Sequence, residues 1–288
     1  MLWISDQWKD YEVLDASDGE RLERWGKYIL VRPDPQVIWS TPHAAPQWKK
    51  YDARYIRSNT GGGHWSDHQL PERWQIRYRD YLTFNVKPMN FKHTGVFPEQ
   101  AANWDFIREK VASAGRPVRV LNLFAYSGGA TLAAAAGGAE VFHVDASKGM
   151  VAWAKENAIA SGLADRPIHW IVDDCGKFIQ REIRRGRRYN GIIMDPPSYG
   201  RGPSGEIWKM ETSFFPFLQE TAKLLTDNPL FVIINSYTTG LAPSAVSYAS
   251  DVVFGPQYGG KTAAGELGLP VKQSGLILPC GATGRWTL

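Results

Sequence analysis

From about residue 97 onward the chain alternates helical and strand patterns at short intervals, and this alternation limits the fold more than any other feature of the sequence. Helical periodicity recurs at 103–114, 130–136, 148–161, 177–185 and 214–226, separated by apolar runs at 118–124, 140–144, 168–172, 191–194 and 230–234. Strands spaced by helices are joined through crossovers rather than hairpin turns, which gives an α/β fold with a doubly wound, mostly parallel sheet. The first part reads differently. Short strand patterns at 11–14, 21–24 and 28–31 are punctuated by Asp18-Gly19 and Pro33-Asp34-Pro35, and 74–78 with 81–86 flank Arg79-Asp80 as a β-hairpin. Between them 40–71, polar and broken by Pro42, Pro46 and Gly61-Gly62-Gly63, reads as a linker or loop. The expected organisation is a small β-rich N-terminal domain over 1–88 and a larger α/β domain over 89–288.

Composition narrows the function classes. With 43% hydrophobic residues in 288, the chain can build a full core, which excludes disordered and fibrous classes. Its two cysteines, Cys175 and Cys280, are far apart and fit neither a disulfide framework nor a Cys-based zinc site, so no metal is expected. No apolar run is long enough to span a bilayer, and the first residues lack the pattern of a secretion signal, so the expected location is cytoplasmic, with no membrane partner. A formal charge of +4 permits a polyanionic partner without requiring one. Many of the 12 tryptophans precede residue 110. Large aromatics usually bury, so core packing is the expectation and base stacking the alternative.

The segment Leu121-Asn122-Leu123-Phe124-Ala125-Tyr126-Ser127-Gly128-Gly129 is an apolar strand running through a turn of small residues into a helix. Such a turn lies at the carboxyl end of a parallel strand, where doubly wound sheets bind ligands. Gly128 and Gly129 let the backbone come close to a ligand and take positive φ. The following strand ends in Asp145, with Ala146 and Ser147 beyond it, at the spacing that lets a carboxylate reach a ribose diol. A dinucleotide site needs a third, spaced glycine to seat a pyrophosphate, and it is missing here. An adenosine cofactor without pyrophosphate fits better, and S-adenosylmethionine is the expected one. Asp173-Asp174 follows the next strand, where one carboxylate could take an adenine amino group and the other could cap the helix behind it.

A further strand breaks into Asp195-Pro196-Pro197-Ser198-Tyr199. Two prolines lock φ and remove two donors, so this loop presents rigid acceptors suited to a planar nitrogenous base, with Tyr199 placed to stack on its face. Methyl transfer to nitrogen asks mainly for in-line positioning and acceptors, whereas C5 of cytosine must be activated by a thiolate. No cysteine neighbours Asp195 or the loop Ser236-Tyr237-Thr238-Thr239.

Together these residues resemble the class I S-adenosylmethionine-dependent methyltransferases, a Rossmann-like fold, and within them bacterial large-subunit ribosomal RNA methyltransferases acting at cytosine C5 or guanine N7. The resemblance spans about 85–240 and includes Glu156-Asn157-Ala158 besides the motifs above. Lys92-His93-Thr94-Gly95-Val96-Phe97-Pro98-Glu99-Gln100 is similar to a segment that lies across the cofactor in that family. The resemblance therefore implies that His93, Phe97 and Gln100 join Asn122, Phe124, Ala125, Tyr126, Ser127, Gly128, Gly129, Asp145, Ala146, Ser147, Asp173 and Asp174 in binding the cofactor. Asp195 to Tyr199 would form the catalytic loop. The cytosine-C5 members carry a cysteine where this chain has Asn235-Ser236-Tyr237, which points to a nitrogen target.

RNA is the expected partner, with ribosomal RNA foremost. Arg181, Arg184, Arg185, Arg187 and Arg188, with Lys49, Lys50, Arg54, Arg57 and Arg77, could pair with phosphates, or could serve only as a solvated helix end and surface charge. The alternatives are a methyl acceptor that is a protein side chain or small molecule, and a non-catalytic cofactor-binding RNA or assembly factor.

Overall fold

The computed structural model describes residues 1–58, 62–66, 69–201 and 207–288. After a short strand, β1 (Leu2–Ile4), come β2 (Tyr11–Ser17), β3 (Glu20–Trp25), β4 (Tyr28–Pro33), β5 (Ala53–Arg57), β6 (Gly63–Trp65), β7 (Trp74–Tyr78) and β8 (Leu82–Val86). The alternating part follows: α1 (Ala101–Ala112), β9 (Arg119–Leu123), α2 (Gly129–Ala136), β10 (Glu140–Asp145), α3 (Lys148–Ala160), β11 (Ile168–Val172), α4 (Cys175–Arg184) and β12 (Gly191–Met194). It continues through β13 (Tyr199–Arg201), β14 (Ile207–Lys209), α5 (Met210–Ala222), β15 (Phe231–Ser236), α6 (Pro243–Tyr258), β16 (Lys261–Pro270) and β17 (Ile277–Thr287). Among the described residues no helix is long and apolar enough to cross a membrane.

The large sheet has the order β1-β16-β17-β15-β12-β9-β10-β11, in which β15, β12, β9, β10 and β11 are parallel and β17 runs antiparallel to β15. The mostly parallel, doubly wound sheet is therefore as expected. Strand alternation divides its two faces. Leu121, Leu123, Ile192, Met194, Val232 and Ile234 pack with Phe178 of α4, Phe217 and Leu218 of α5 and Phe254 of α6. The alternate residues Asn122 and His143 turn the other way and meet Thr131 of α2. From β9 the chain steps to β10 and β11 on one side, then to β12 and β15 on the other. The winding direction thus reverses between β9 and β12, and the carboxyl ends of those two strands open a crevice for a ligand. Leu123 and Met194 are partners in register, so Phe124 and Asp195 leave the sheet side by side.

By its internal contacts the chain divides into one unit of Met1–Trp3, Ala102–Leu267 and Gly281–Leu288, and a second of Ile4–Ala101 and Gly268–Cys280. Residues 89–101 and Gly268–Cys280 thus fall with the β-rich unit, whereas the sequence pattern puts its boundary between 88 and 89.

In the second unit β2-β3-β4-β5-β6 form one sheet and β7-β8 a separate hairpin. The stretch 40–71 is not the linker its composition suggested. Its residues 53–57 add β5 parallel to β4, with Leu30 opposite Ala53, and 63–65 form β6, while Gly61 lies outside the described residues. The crossover from β4 to β5 contains only a short 3-10 turn, Pro46–Lys49, so no helical periodicity announced it. Trp39 is exposed, whereas Trp25 serves the core as expected: it is buried, Tyr11 packs edge-on against it at 4.7 Å, and the half-buried Trp8 contacts Tyr78 at 5.0 Å. Among them sits the fully buried Glu23, which accepts from Tyr11 Oη at 2.6 Å and from Arg32 at 2.5 and 2.8 Å, with Arg21 Nε at 3.2 Å.

The alternating part departs from its sequence pattern in several places, including the unpredicted pair β13 and β14. The helix expected at 214–226 runs Met210–Ala222, because the chain beyond it turns to bond Tyr189: Tyr189 N donates to Leu224 O and Thr226 N to Tyr189 O. The sequence pattern predicts no element beyond residue 240, yet α6, β16 and β17 follow there; Lys261–Pro270 is rich in Ala and Gly and carries little strand propensity.

Candidate functional site

The crevice begins at Phe124, where β9 ends. Phe124 and Tyr126 have φ of 55° and 50°, a left-handed conformation that is uncommon for bulky residues and costs energy wherever the surroundings hold it. Here they do. Phe124 N donates to Cys175 Sγ at 3.3 Å, Ala125 N to Val144 O at 3.1 Å and Tyr126 N to Asp145 Oδ2 at 2.8 Å. From below, Asn157 Nδ2 donates to Ser127 O at 2.9 Å. The two glycines have different reasons. Gly128 has φ of 92°, and a Cβ there would lie 3.0 Å from Ala154 Cβ. Gly129 is helical, but a Cβ would lie 2.5 Å from the Trp104 ring, so this position is fixed by packing.

Asp145, at the end of β10, also accepts from Ser147 N through Oδ1 at 2.8 Å. Each carboxylate oxygen has a second lone pair, so the two backbone bonds aim the group while leaving acceptor capacity for a diol. Ser147 caps α3 through a bond from Met150 N. Asp174 caps α4, accepting from Lys177 N at 2.9 Å, while Asp173 accepts from Asp174 N and pairs with Arg181. Asn122 is only 3% exposed and donates to Thr131 at 2.9 Å; Thr131 in turn meets His143 Nδ1 at 2.9 Å. Asn122 therefore sits in a buried network beneath the turn, although a place on the cofactor was expected for it.

Beside the turn opens a pocket of about 620 Å³, whose walls include Phe124, Ala146, Cys175, Pro197, Trp208 and Phe217. Phe124, Trp208 and Phe217 form a ring cluster with centroids 5.3 to 5.7 Å apart. Across the crevice, the loop after β12 holds Asp195 half-buried. Several of its acceptors are already engaged: Pro197 O accepts from Trp208 Nε1 at 2.6 Å, Ser198 O from Met210 N at 3.1 Å, and Ser198 Oγ from Thr238 Oγ1 at 2.8 Å. The rigidity expected of the two prolines is thus reinforced by three hydrogen bonds. Tyr199 is 52% exposed and starts β13, opposite Lys209.

The sequence pattern of the S-adenosylmethionine-dependent methyltransferases matches residues 28–239. The chain belongs to that family. It is similar over its whole length to the SAM-dependent methyltransferase from Agrobacterium tumefaciens, at 36% identity, with 93% of that chain covered and a TM-score of 0.92. A methyltransferase candidate solved in complex with SAH (S-adenosylhomocysteine) shares the fold at 20% identity, TM-score 0.75, over 98% of this chain and 76% of that one. A curated relative, the ribosomal RNA large subunit methyltransferase K/L of Shewanella frigidimarina, is 30% identical over 155 residues, 53% of this chain. This chain spans 21% of that relative's length.

In this methyltransferase the pocket and the Asp145 carboxylate suit the adenosyl group: flat apolar walls stand next to an oriented acceptor. The bound cofactor would supply an electrophilic methyl on a sulfonium. Neither thiol is suited to act as a nucleophile. Burial pushes both the Cys175 and the Cys280 thiols up, and Cys175 Sγ already accepts from Phe124 N. The remaining expected cofactor residues belong to the second unit. There Phe97 lies 5.2 Å from His93 ring to ring, and Gln100 is buried with its N donating to Phe97 O. Burial, aided by Arg32, Lys92 and Arg21, lowers the His93 pKa to about 3, so the ring is neutral at physiological pH.

Sequence reasoning missed Trp208, Phe217 and Thr238. Trp208 lies on a three-residue strand without usable periodicity. Phe217 reads as an ordinary core position. Thr238 lies in the loop after β15, which stands out in the sequence only for lacking a cysteine.

Proposed function

We propose that this methyltransferase modifies a base nitrogen in RNA, with ribosomal RNA as the substrate. The observation that carries the reading is the pairing at the crevice: Asp195 leaves the sheet beside Phe124, on a loop held by two prolines and three hydrogen bonds. In this reading Asp195 accepts a hydrogen bond from the ring N–H or amino group of the target base, raising electron density on the nucleophilic nitrogen as the methyl group passes. Tyr199, exposed at the loop's end, stacks on the base, while Pro196, Pro197 and Ser198 hold the geometry. Asp173 or Asp174 receives the adenine amino group. The absence of a reactive thiol favours nitrogen over C5 of cytosine. The name of the curated relative favours ribosomal RNA.

The test compares modified nucleosides in RNA from a deletion strain, its parent, and a strain carrying Asp195→Ala. One methylated purine or cytosine missing from both the deletion and the Asp195→Ala strain is expected. An unchanged nucleoside profile, together with tritiated-methyl transfer to protein or small molecules, would move the acceptor to those classes. A normal profile in the Asp195→Ala strain would favour a non-catalytic factor.

A further inference from the structure

Among the hydrogen bonds that hold the Asp195–Ser198 loop are those from Met210, Thr238 and Trp208, and Trp208 also lines the adenosyl pocket. The Met210 bond is a backbone contact at the start of α5, and Thr238 reaches Ser198 from the loop after β15, where Ser236 Oγ accepts from Thr238 N at 3.2 Å. Trp208 is different in kind. Its indole N–H donates to Pro197 O at 2.6 Å, and its ring stands at 89° to Phe217 and 5.7 Å from Phe124, the residue that ends the cofactor turn. Gly200, its register partner across β13 and β14, faces Pro197 closely: a Cβ there would lie 3.5 Å from Pro197 Cγ. The indole is thus contacted by Phe124, Phe217 and Pro197.

We propose that Trp208 is a positioning residue that couples the adenosyl pocket to the catalytic loop. Its ring lines the pocket and its N–H donates to the Pro197 carbonyl. A purine lying against the wall immobilises the indole. Because Pro196 and Pro197 have locked φ, fixing the Pro197 carbonyl leaves the backbone back to Asp195 few ways to move. The loop is therefore most rigid when the cofactor is bound. The inference rests on the cofactor and is independent of the acceptor's identity.

Two variants separate wall from strut. Trp208→Phe keeps a ring and loses the N–H; Trp208→Ala loses both. SAH affinity is measured by calorimetry on the full-length protein, and hydrogen exchange is followed in peptides covering residues 195–200, with and without SAH. In the parent, SAH slows exchange in these peptides. Trp208→Phe binds SAH within about threefold of the parent yet loses this SAH-dependent protection, as expected from losing one hydrogen bond outside the ligand. Trp208→Ala binds SAH about ten- to a hundredfold more weakly, the usual effect of removing an aromatic partner of a base. The proposal is overturned if SAH leaves exchange unchanged in the parent, if Trp208→Phe keeps full protection, or if Trp208→Ala binds SAH as tightly as the parent.

Discussion

At the scale of single residues, the turn after β9 is held by the same groups that are proposed to meet the cofactor. Asp145 holds Tyr126 and Ser147 through their backbone N–H groups before any ligand arrives. Replacing it with alanine should therefore lower the melting temperature of the ligand-free protein as well as weaken SAH binding. Each missing charge-assisted bond costs about 1.5 to 3 kcal/mol, and calorimetry with and without SAH separates the two effects. Gly129 gives a second prediction. Gly129→Ala forces a methyl against the Trp104 ring and should destabilise the fold by about 1 to 3 kcal/mol, as overpacking does. A Trp104→Leu background should recover part of this loss in denaturant unfolding. The sequence showed the glycine pair and Asp145 clearly, because turn chemistry and spacing are local. It did not show that Gly129 answers to Trp104, or that Asn122 faces a buried network, because both depend on residues brought near by folding.

At the scale of elements, His143 and Glu23, with the His93 already described, make acid destabilising. His143 on β10 is fully buried, and burial lowers its pKa from 6.5 to about 3. Between those values the unfolded chain takes up a proton that the folded one refuses. Stability therefore falls as pH drops below about 6.5. Glu23 on β3 behaves in the same sense for the opposite reason. Burial alone would raise its pKa, but Arg21 and Arg32, with bonds from Arg32 and Tyr11, bring it from 4.5 to about 2. Its stabilising contribution is present above pH 4.5 and is lost as pH falls towards 2. Urea titrations at stepped pH should show His143→Gln flattening the upper part of this decline, and Glu23→Gln the lower part. A polar cluster joins elements that are distant in the chain. Asn103 of α1, Asn235 of β15, and Thr283 and Arg285 of β17 share bonds of 2.8 to 3.2 Å. The parallel strands and their helices were legible from apolar periodicity. The strands β5, β16 and β17 were not: β5 lies in a polar stretch broken by Pro and Gly, β16 is rich in Ala and Gly, and β17 is interrupted by Pro279, Gly281 and Gly284.

At the scale of the whole molecule, the charge distribution is the part that reaches outward. Arg184, Arg185, Arg187 and Arg188 are exposed at and beyond the end of α4, with Arg185 already engaged with Glu182. If RNA is the partner, Arg187→Glu and Arg188→Glu together should weaken its binding and flatten the dependence of log K on log salt by about one for each phosphate that no longer has a cationic partner. Fluorescence anisotropy across a salt series reads both, while SAH affinity should not change. The left-handed residues of the cofactor turn bear on the protein's history under selection. Tyr126 keeps a conformation that glycine would adopt freely, so Tyr126→Gly is an available step toward heat resistance wherever the ring is dispensable. A lineage selected only for durability would drift toward glycine at this position. Where the ring is needed, the chain carries the conformational cost along with it.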